Sequence, residues 1–259
     1  MSGGNIIKDL HTMKHLPPAN RPGNLHRAGS RSWIWLALAA CLSPLVAQAA
    51  RPLGTEDAGT NEARHCQVEA WGEHGKGSHE THLAPACGLG EGLELGAEWV
   101  RPQPANSAEH ARYVGLKWAP EWLAWQDVRF GLKAMGGQAR TPVGDDGGWH
   151  WQGQSWMAIA SVPLNDKWTV HANLGQALHR GPPASAATYA LGLVWTPHEA
   201  VVVFGELLGE QRSPACQTVG LRWWIIPDTL GLDLTHSREN ATPGSRHTGI
   251  GLGWYGISF

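Results

Sequence analysis

The amino-acid sequence predicts an all-β protein, a transmembrane antiparallel up-and-down β-barrel of about twelve strands. From Cys66 onward the chain falls into short segments of alternating polarity, joined in turn by short turns and by longer polar loops. The chain ends in an aromatic residue, and counting back by twos places Phe259, Ile257 and Tyr255 on one face. This pattern is typical of the strand that closes a barrel in lipid, where an open sheet edge would leave backbone groups unpaired.

The composition also suits a sheet in a bilayer. The chain has 259 residues, of which 33 are Gly and 15 are Trp, and only 16% are charged, against about 25% in soluble domains. The residues after position 50 carry 15 basic and 21 acidic side chains, so no basic patch predicts a nucleic-acid partner. That region offers no apolar run of about 18 residues, so it predicts no transmembrane helix.

Residues 1–50 are predicted to be a secretory signal peptide. Five basic residues precede a short apolar core, and an Ala-Gln-Ala motif follows it, so we expect cleavage near Ala49 or Ala50. A lipoprotein box ending at Cys41 is the alternative, which an acylated Cys41 would establish.

The rest of the chain divides into a short leading segment and the barrel. Residues 51–64 have no strand pattern, and we expect them either in the periplasm or folded into the barrel mouth. Residues 65–259 form the predicted barrel.

Cys66 and Cys87 are predicted to form a disulfide. They lie at equal distance from a hairpin tip at Gly75-Lys76-Gly77, which makes them cross-strand partners. The bond would close a loop of about 20 residues and contribute roughly 3 kcal/mol. A zinc site is the competing interpretation, but the chain lacks CxxC and HxxxH spacing here.

Five short turns and six longer loops join the predicted strands, with both termini on the short-turn side. Short turns of this architecture are periplasmic, and long loops are extracellular. The predicted strands span 65–73, 82–87, 92–100, 110–118, 125–136, 150–161, 167–177, 187–195, 200–208, 216–225, 229–235 and 247–258.

Side-chain parity predicts which face of each strand meets lipid. Phe130 and Leu132, for example, alternate with Arg129 and Lys133. The apolar set should face lipid, because Lys or Arg there costs about 2–4 kcal/mol at the bilayer midplane. Arg112 has the apolar parity, but it lies near the outer end of its strand, where headgroup phosphates can accept it.

Tryptophan residues cluster beside the predicted short turns, as in an aromatic girdle at a membrane interface. They are Trp118, Trp122, Trp125, Trp168, Trp195, Trp223 and Trp224. A soluble β-sandwich would hold its tryptophans in mid-strand instead. We therefore expect the bacterial outer membrane, with membrane lipid and lipopolysaccharide as partners and the barrel-assembly machinery recognising the strand that ends in Phe259.

Ionisable side chains of both signs fall on the predicted inner face. As lumen-lining candidates we identify Glu69, Glu94, Glu98, Lys117, Asp127, Arg129, Lys133, His171, Glu206, Arg222 and Asp233. These groups either fill a narrow barrel with ion pairs or line a narrow water-filled passage. A strongly ion-selective pore would show rings of one sign, which this set does not.

No catalytic residue, cofactor or metal site is predicted. His236 and Ser237 support only a remote alternative, an outer-membrane lipid hydrolase, because no strand sets a nucleophile against a base there. His74, His79 and His82 share a predicted loop that could bind a divalent metal, but a solvated loop is the favoured interpretation.

Three segments near the start of the mature chain carry a family resemblance. They are Ala50-Arg-Pro-Leu-Gly-Thr-Glu-Asp-Ala-Gly-Thr60, His65-Cys-Gln-Val-Glu-Ala-Trp71 and Ala84-Pro-Ala-Cys-Gly88. They resemble a family of proteobacterial outer-membrane proteins assigned to the meta-pathway of phenol degradation or described as transporters. The resemblance implies an outer-membrane barrel that admits small hydrophobic or aromatic compounds, and it supplies no functional residues.

The sequence thus predicts a single-domain barrel that acts as a narrow channel or passive transporter for small molecules. The alternative is a closed structural or adhesive barrel without transport. In that case Glu94, Glu98, Arg129 and Arg222 would all be paired.

Overall fold

The computed structural model describes residues 53–75, 78–103, 110–140, 148–180, 184–239 and 246–259. The predicted signal peptide, its predicted cleavage site and the predicted hairpin tip at 76–77 lie outside these ranges. The strands are β1 His65–Gly75, β2 Ser78–Gly90, β3 Leu93–Gln103, β4 His110–Trp118, β5 Ala124–Trp125, β6 Val128–Arg140, β7 Trp149–Pro163, β8 Trp168–His179, β9 Ser185–His198, β10 Val201–Glu210, β11 Cys216–Ile226, β12 Leu230–Glu239 and β13 Arg246–Ser258.

Twelve of these strands form a closed antiparallel barrel. Strands adjacent in the chain pair with each other, and β4 pairs directly with β6, past the two-residue β5. β13 pairs with β1, from Gly75 opposite His247 to His65 opposite Ser258, and closes the ring. Closure removes the free edges and pairs the backbone groups that lipid could not satisfy. The predicted fold class, a transmembrane up-and-down barrel of twelve strands, is confirmed. The described residues include no helix long and apolar enough to cross a membrane.

Short connections gather at one end of the barrel, beside the start of β1 and the end of β13. They are 91–92, 119–123, 126–127, 164–167, 199–200 and 227–229. Glu91 and Gly92 both have positive φ, 50° and 71°, as mirror-image hairpin turns require. Most connections at the opposite end, the long-connection end, are longer.

Several strands extend further toward the long-connection end than the sequence predicts. β1 and β2 reach Gly75 and Ser78, so the predicted loop 74–81 shortens to two connecting residues. β12 continues to Glu239 instead of ending at 235. Apolar alternation, on which the prediction depends, stops where both faces become polar, but the hydrogen-bond ladder does not need apolar side chains.

The two faces of the wall differ in polarity. Large apolar side chains point outward and are exposed, among them Val114, Leu174 and Ile250. The inward face carries most of the buried polar and charged side chains, and small apolar clusters lie between them, such as Val100 with Tyr113 and Met135. This is the inverse of a soluble domain and matches a wall between lipid and a polar interior.

The last strand differs from its prediction. Tyr255 is buried on the lumen side, whereas Leu252 and Trp254 are exposed on the outside. The register between β1 and β13 shifts by one residue here, and Gly256 has a φ of +70°. One extra residue in a strand switches its side-chain parity, so counting by twos from Phe259 assigns Tyr255 to the wrong face.

The tryptophans near the short turns are mostly interfacial, with one exception. Trp122 and Trp125 are exposed beside the turns, and Trp168 stacks on Trp195 with ring centroids 5.6 Å apart. Trp224 instead faces the lumen and is buried, because it has the opposite parity to its exposed neighbour Trp223.

The predicted disulfide between Cys66 and Cys87 is present. The two residues are direct cross-strand partners of β1 and β2, near the short-turn end. Cys216, at the start of β11, is half-buried and does not take part in this disulfide.

Candidate functional site

An extended stretch of the chain lies inside the barrel. We call Leu53–Asn61 the internal segment. Leu53, Thr55, Glu56 and Asp57 show no exposure to solvent, and Ala58 shows 1%. The sequence left open whether this part of the chain lies in the periplasm or at the barrel mouth, and the structure places it among the inward side chains of the wall.

Glu206 of β10 binds the first residues of the internal segment. Its carboxylate accepts the backbone N–H of Gly54 at 2.8 Å and that of Thr55 at 2.8 Å, and the Thr55 hydroxyl donates to it at 3.0 Å. Gly192 lies opposite Glu206 in β9, and a Cβ there would approach Leu53 Cδ2 to 2.9 Å. A glycine at this wall position therefore makes room for the segment.

Side chains of β7 and β8 bind the backbone in the middle of the segment. Glu56 N–H donates to Asn173 Oδ1 at 2.7 Å, and Asn173 Nδ2 donates back to the Glu56 carbonyl at 2.8 Å. Ala58 N–H donates to Ser161 Oγ at 2.8 Å, and Ser161 is hydrogen-bonded in turn to His171 Nδ1 at 2.8 Å. These bonds satisfy backbone groups that burial has removed from water.

Two lysines of the wall meet two carboxylates of the segment. Lys117 of β4 and Lys133 of β6 are direct cross-strand partners. Lys117 Nζ lies 3.3 Å from Glu56 Oε2 and 3.2 Å from Asp57 Oδ1, and Lys133 Nζ donates to Glu56 Oε1. Like charges opposite each other in a sheet are destabilising, and the two carboxylates neutralise this pair.

The far end of the internal segment binds β2 and β3. Asn61 N–H donates to Glu94 Oε2 at 2.8 Å, and Asn61 Nδ2 donates to the Ala86 carbonyl at 3.1 Å. Ala63 then forms a parallel bridge with Gly88 before the chain enters β1. The segment thus crosses the lumen from β10 to the disulfide-linked hairpin of β1 and β2.

The carboxyl group of Asp57, in the middle of the internal segment, has a shifted pKa. Burial raises the pKa of its carboxyl to about 6, although the Lys117 ammonium and the Gly59 N–H lower it and Glu56 raises it further. Its Oδ1 accepts Gly59 N–H at 2.6 Å, while its Oδ2 has no hydrogen-bond partner among the described residues. Oδ2 is therefore the atom on which a proton is held at least cost.

A second buried group fills the opposite side of the lumen. Arg222 of β11 donates through Nε and Nη2 to Asp233 of β12 at 2.7 and 2.6 Å. Its guanidinium lies 4.9 Å from the Trp224 ring centre and 5.0 Å from that of Tyr255. Tyr255 donates to Glu69 Oε1 at 2.6 Å, so all five side chains form one network.

A smaller cluster lies between β2 and β3. His82 Nδ1 is 2.9 Å from Glu98 Oε1, and the His82 ring stacks on Trp71 with centroids 4.3 Å apart. All three side chains are buried.

Most of the lumen-lining candidates are buried on the inner face. Asp127 is an exception, because it lies in the turn between β5 and β6 and is exposed. Arg129 is half-buried at the start of β6. The nine buried candidates are Glu69, Glu94, Glu98, Lys117, Lys133, His171, Glu206, Arg222 and Asp233.

Sequence reasoning missed the partners of these residues. Glu56 and Asp57 lie in a stretch without strand pattern, so parity assigns them no face. The available signal was the adjacent pair of acids, Glu56 and Asp57. Lys117 and Lys133 both lie on the predicted inner face, where burial of two positive charges calls for negative charges nearby.

The two residues considered for a lipid hydrolase do not face each other. His236 and Ser237 are consecutive residues of β12 and so point to opposite faces, where they bind Thr248 and Thr218 respectively. The Ser161–His171 bond is buried and serves the internal segment. Within the described ranges, no group of three His, Cys, Asp or Glu could hold a metal ion.

Fold and site together define a transmembrane β-barrel whose lumen is occupied by the internal segment of the same chain. Among the solved structures that share this fold are three of porins. KdgM porin superimposes with a TM-score of 0.56 at 11% identity, covering 73% of this chain and 98% of that one. NanC porin gives 0.54 at 8% identity, covering 75% and 100%. A KdgM porin in complex with disordered oligogalacturonate gives 0.56 at 10% identity, covering 73% and 98%.

At these identities the likeness concerns the fold alone. No protein-family model and no curated protein matches this sequence. The resemblance to the phenol-degradation family stays a prediction.

Proposed function

We propose that this chain is an outer-membrane channel for small solutes, closed in the present structure by its internal segment. The observation that carries the proposal is the position of Leu53–Asn61 inside the wall. A barrel packed shut by its own inward side chains has no room for an extended peptide. This barrel contains one, so departure of the segment would leave a passage at least as wide as a peptide. The porin fold of KdgM and NanC supports the proposal.

The contacts of the segment are suited to reversible release. Its side-chain contacts include ion pairs between Glu56 or Asp57 and the two lysines, beside the apolar packing of Leu53 and Ala58 against the wall. A buried ion pair contributes little net stability, because desolvation offsets most of the attraction. When the segment leaves, water enters the lumen and solvates the same charges. The ion pairs therefore position the segment without making its release prohibitive.

A charge reversal on the segment tests this closure without changing the wall. Glu56→Lys places a third ammonium beside Lys117 and Lys133, and repulsion should expel the segment. In planar lipid bilayers we expect rare openings of the wild-type protein and sustained conductance of Glu56→Lys. Glu62→Lys is the matched control, since Glu62 is exposed just beyond the segment and its reversal should leave conductance unchanged.

A second charge reversal should restore closure. Glu56→Lys combined with Lys133→Glu re-creates an opposite-charge pair, and its conductance should return toward the wild-type value. A folded Glu56→Lys barrel without conductance would instead support the closed structural barrel. That alternative is favoured by the partners that Glu94, Glu98 and Arg222 already have.

The lysine pair of the wall favours solutes that carry a carboxylate, although the departure of the segment also removes the N–H donors that it supplies to Glu206 and Glu94. Once the segment leaves, Lys117 and Lys133 lose the carboxylates of Glu56 and Asp57 and attract another anion. The complex of KdgM porin with oligogalacturonate, an oligomer of an acidic sugar, supports this choice. The family resemblance instead implies small hydrophobic or aromatic compounds. Transport of acidic solutes therefore needs to be compared with transport of aromatic solutes.

Uptake into vesicles separates the two properties. For a chain lacking residues 53–61, we expect galacturonate to enter severalfold faster than galactose, which has the same ring without the carboxylate. Lys117→Gln with Lys133→Gln should abolish this preference. Faster entry of phenyl galactoside than of galacturonate would favour aromatic compounds and contradict the proposed preference for acids.

A further inference from the structure

A basic and aromatic surface lies on the outside of the barrel, near the long-connection end. Trp99, Arg112, Gln138 and Trp151 are cross-strand neighbours in one row over β3, β4, β6 and β7. Arg112 is exposed, and both tryptophans are about half exposed, at 48% and 50%. We call these four residues, with Val114 and Gly136 beneath them, the outer groove.

The outer groove is a real depression in the wall. Its volume is about 480 Å³, and Trp99, Val114, Gly136 and Trp151 are among its lining residues. The Trp151 ring lies over Gly136, where a Cβ would come within 2.7 Å of the ring. A larger residue at Gly136 would displace this wall of the groove. The depression has apolar sides and opens toward the surrounding lipid, so its shape suits an acyl chain.

Arg112 is held at the upper edge of the outer groove. It donates from Nη2 and Nε to Gln138 Oε1 at 2.6 and 3.1 Å, and its guanidinium lies 4.2 Å from the Trp149 ring centre. No carboxylate pairs with Arg112 in the described part of the chain. A guanidinium has five N–H donors, so donors remain for an anion from the membrane.

A second arginine extends the positive charge. Arg101 is exposed two residues beyond Trp99 on β3, on the same face. A lipid-facing Arg costs about 2–4 kcal/mol at the midplane but only about 0–1 near the interface, and tryptophans prefer that interface. Arg101 and Arg112 therefore lie at headgroup depth, with the apolar groove below them.

We propose that the outer groove binds one molecule of lipopolysaccharide through its lipid A part. A lipid A phosphate binds Arg112 and Arg101, and one acyl chain fills the groove between Trp99, Val114 and Trp151. Arginine forms paired hydrogen bonds with phosphate, and this geometry gives specificity as well as affinity. The site rests on the proposed outer-membrane location, because lipid A is found in the outer leaflet of that membrane.

Native mass spectrometry of the protein in detergent, titrated with diphosphoryl lipid A, tests the site. We expect the wild-type protein to keep one lipid A that phosphatidylglycerol does not displace. Arg101→Gln with Arg112→Gln should weaken this binding at least tenfold. Val114→Trp, which fills the groove without changing charge, should also weaken the binding of lipid A. This second variant tests the site even if the double variant does not fold.

A matched control removes two other arginines from the same end of the barrel. Arg238 and Arg246 are exposed cross-strand partners on β12 and β13. Arg238→Gln with Arg246→Gln should leave lipid A binding unchanged. Equal loss in this control, or equal binding of phosphatidylglycerol, would overturn the site. The binding assay does not depend on conductance. A barrel without conductance would therefore contradict the channel proposal but would not affect the lipid A result.

Discussion

At the scale of single residues, the lumen contains buried charged side chains, several of which bind partners that are distant in the chain. Glu206 binds Gly54 across 152 positions, and Tyr255 binds Glu69 across 186. Removing one partner of such a pair leaves the other buried and unpaired, which is far more destabilising than the pair is stabilising. Single substitutions at these residues should therefore have large and distinct effects.

Asp57 should make closure depend on pH. The pKa of its buried carboxyl is about 6, against 3.8 for the exposed group, so binding of the segment takes up a proton. The bound state is therefore stabilised as pH falls through about 6, and is weakened as pH rises. We expect the wild-type protein to open more often at pH 8 than at pH 5, by about tenfold in the open-to-closed ratio, with most of the change below pH about 7.

Asp57→Asn should abolish this dependence, as measured by single-channel recording between pH 5 and 8. Glu62→Gln, which removes an exposed carboxylate nearby, should retain it. An unchanged pH profile in Asp57→Asn would rule out this carboxyl as the titrating group.

Arg222 should be essential for the stability of the opposite side of the lumen. Arg222→Met leaves Asp233 and Glu69 buried without their cation, which we expect to lower the free energy of unfolding by about 3–5 kcal/mol. Urea titration of the protein in lipid vesicles measures this. Arg238→Met, which removes an exposed arginine, should change the free energy by less than about 0.5 kcal/mol. A similar loss in both variants would contradict the buried network.

At the scale of elements, the hairpin of β1 and β2 receives the internal segment and carries the disulfide. Gly88 accepts the approach of the chain, since a Cβ there would lie 2.2 Å from the Asn61 carbonyl oxygen. The disulfide lies one residue away. It therefore fixes the hairpin at the point where the segment leaves the lumen and becomes the first strand.

Loss of the Cys66–Cys87 bond should destabilise the barrel. Its closed loop spans a separation of 21 residues, for which loop entropy predicts about 3 kcal/mol. Urea titrations with and without reductant should show this difference for the wild-type protein. The variant Cys216→Ser should keep the same sensitivity to reductant, whereas Cys66→Ser with Cys87→Ser should show none.

The elements also show where sequence prediction succeeds. Strand positions follow from period-two alternation, which is a local property. The direct opposition of Cys66 and Cys87 follows from another local property, their equal distance from the predicted hairpin tip. The bulge near Gly256 is not visible in that period, so Tyr255 is assigned to the wrong face. The internal segment has no period, and its place depends on polar side chains from six wall strands, namely β3, β4, β6, β7, β8 and β10.

At the scale of the whole molecule, the wall should fold without the internal segment. The ladder hydrogen bonds of the wall join neighbouring strands to each other, and closure does not involve residues 53–61. A chain lacking these residues should keep its β-rich circular dichroism and its heat-dependent mobility in gel electrophoresis. Its melting temperature should fall modestly, because Lys117 and Lys133 lose their partners.

A permuted segment provides the control for this deletion. The nine residues of Leu53–Asn61 in scrambled order keep length and composition but lose the contacts, so this variant should melt like the deletion. Failure of the deletion to fold would show that the segment is part of the folding core and does not only occupy a finished barrel.

Apolar and polar side chains alternate along each strand, and this pattern can be read from the sequence. It already determines a closed wall with lipid outside and polar groups inside. It also determines most of the inward ionisable residues, because facing depends only on parity within one strand. Their partners depend on closure, which alone brings Glu56 and Asp57 to Lys117 and Lys133. Whether the lumen is empty or occupied is therefore decided by the tertiary structure, since a segment without periodicity takes its position from the wall around it.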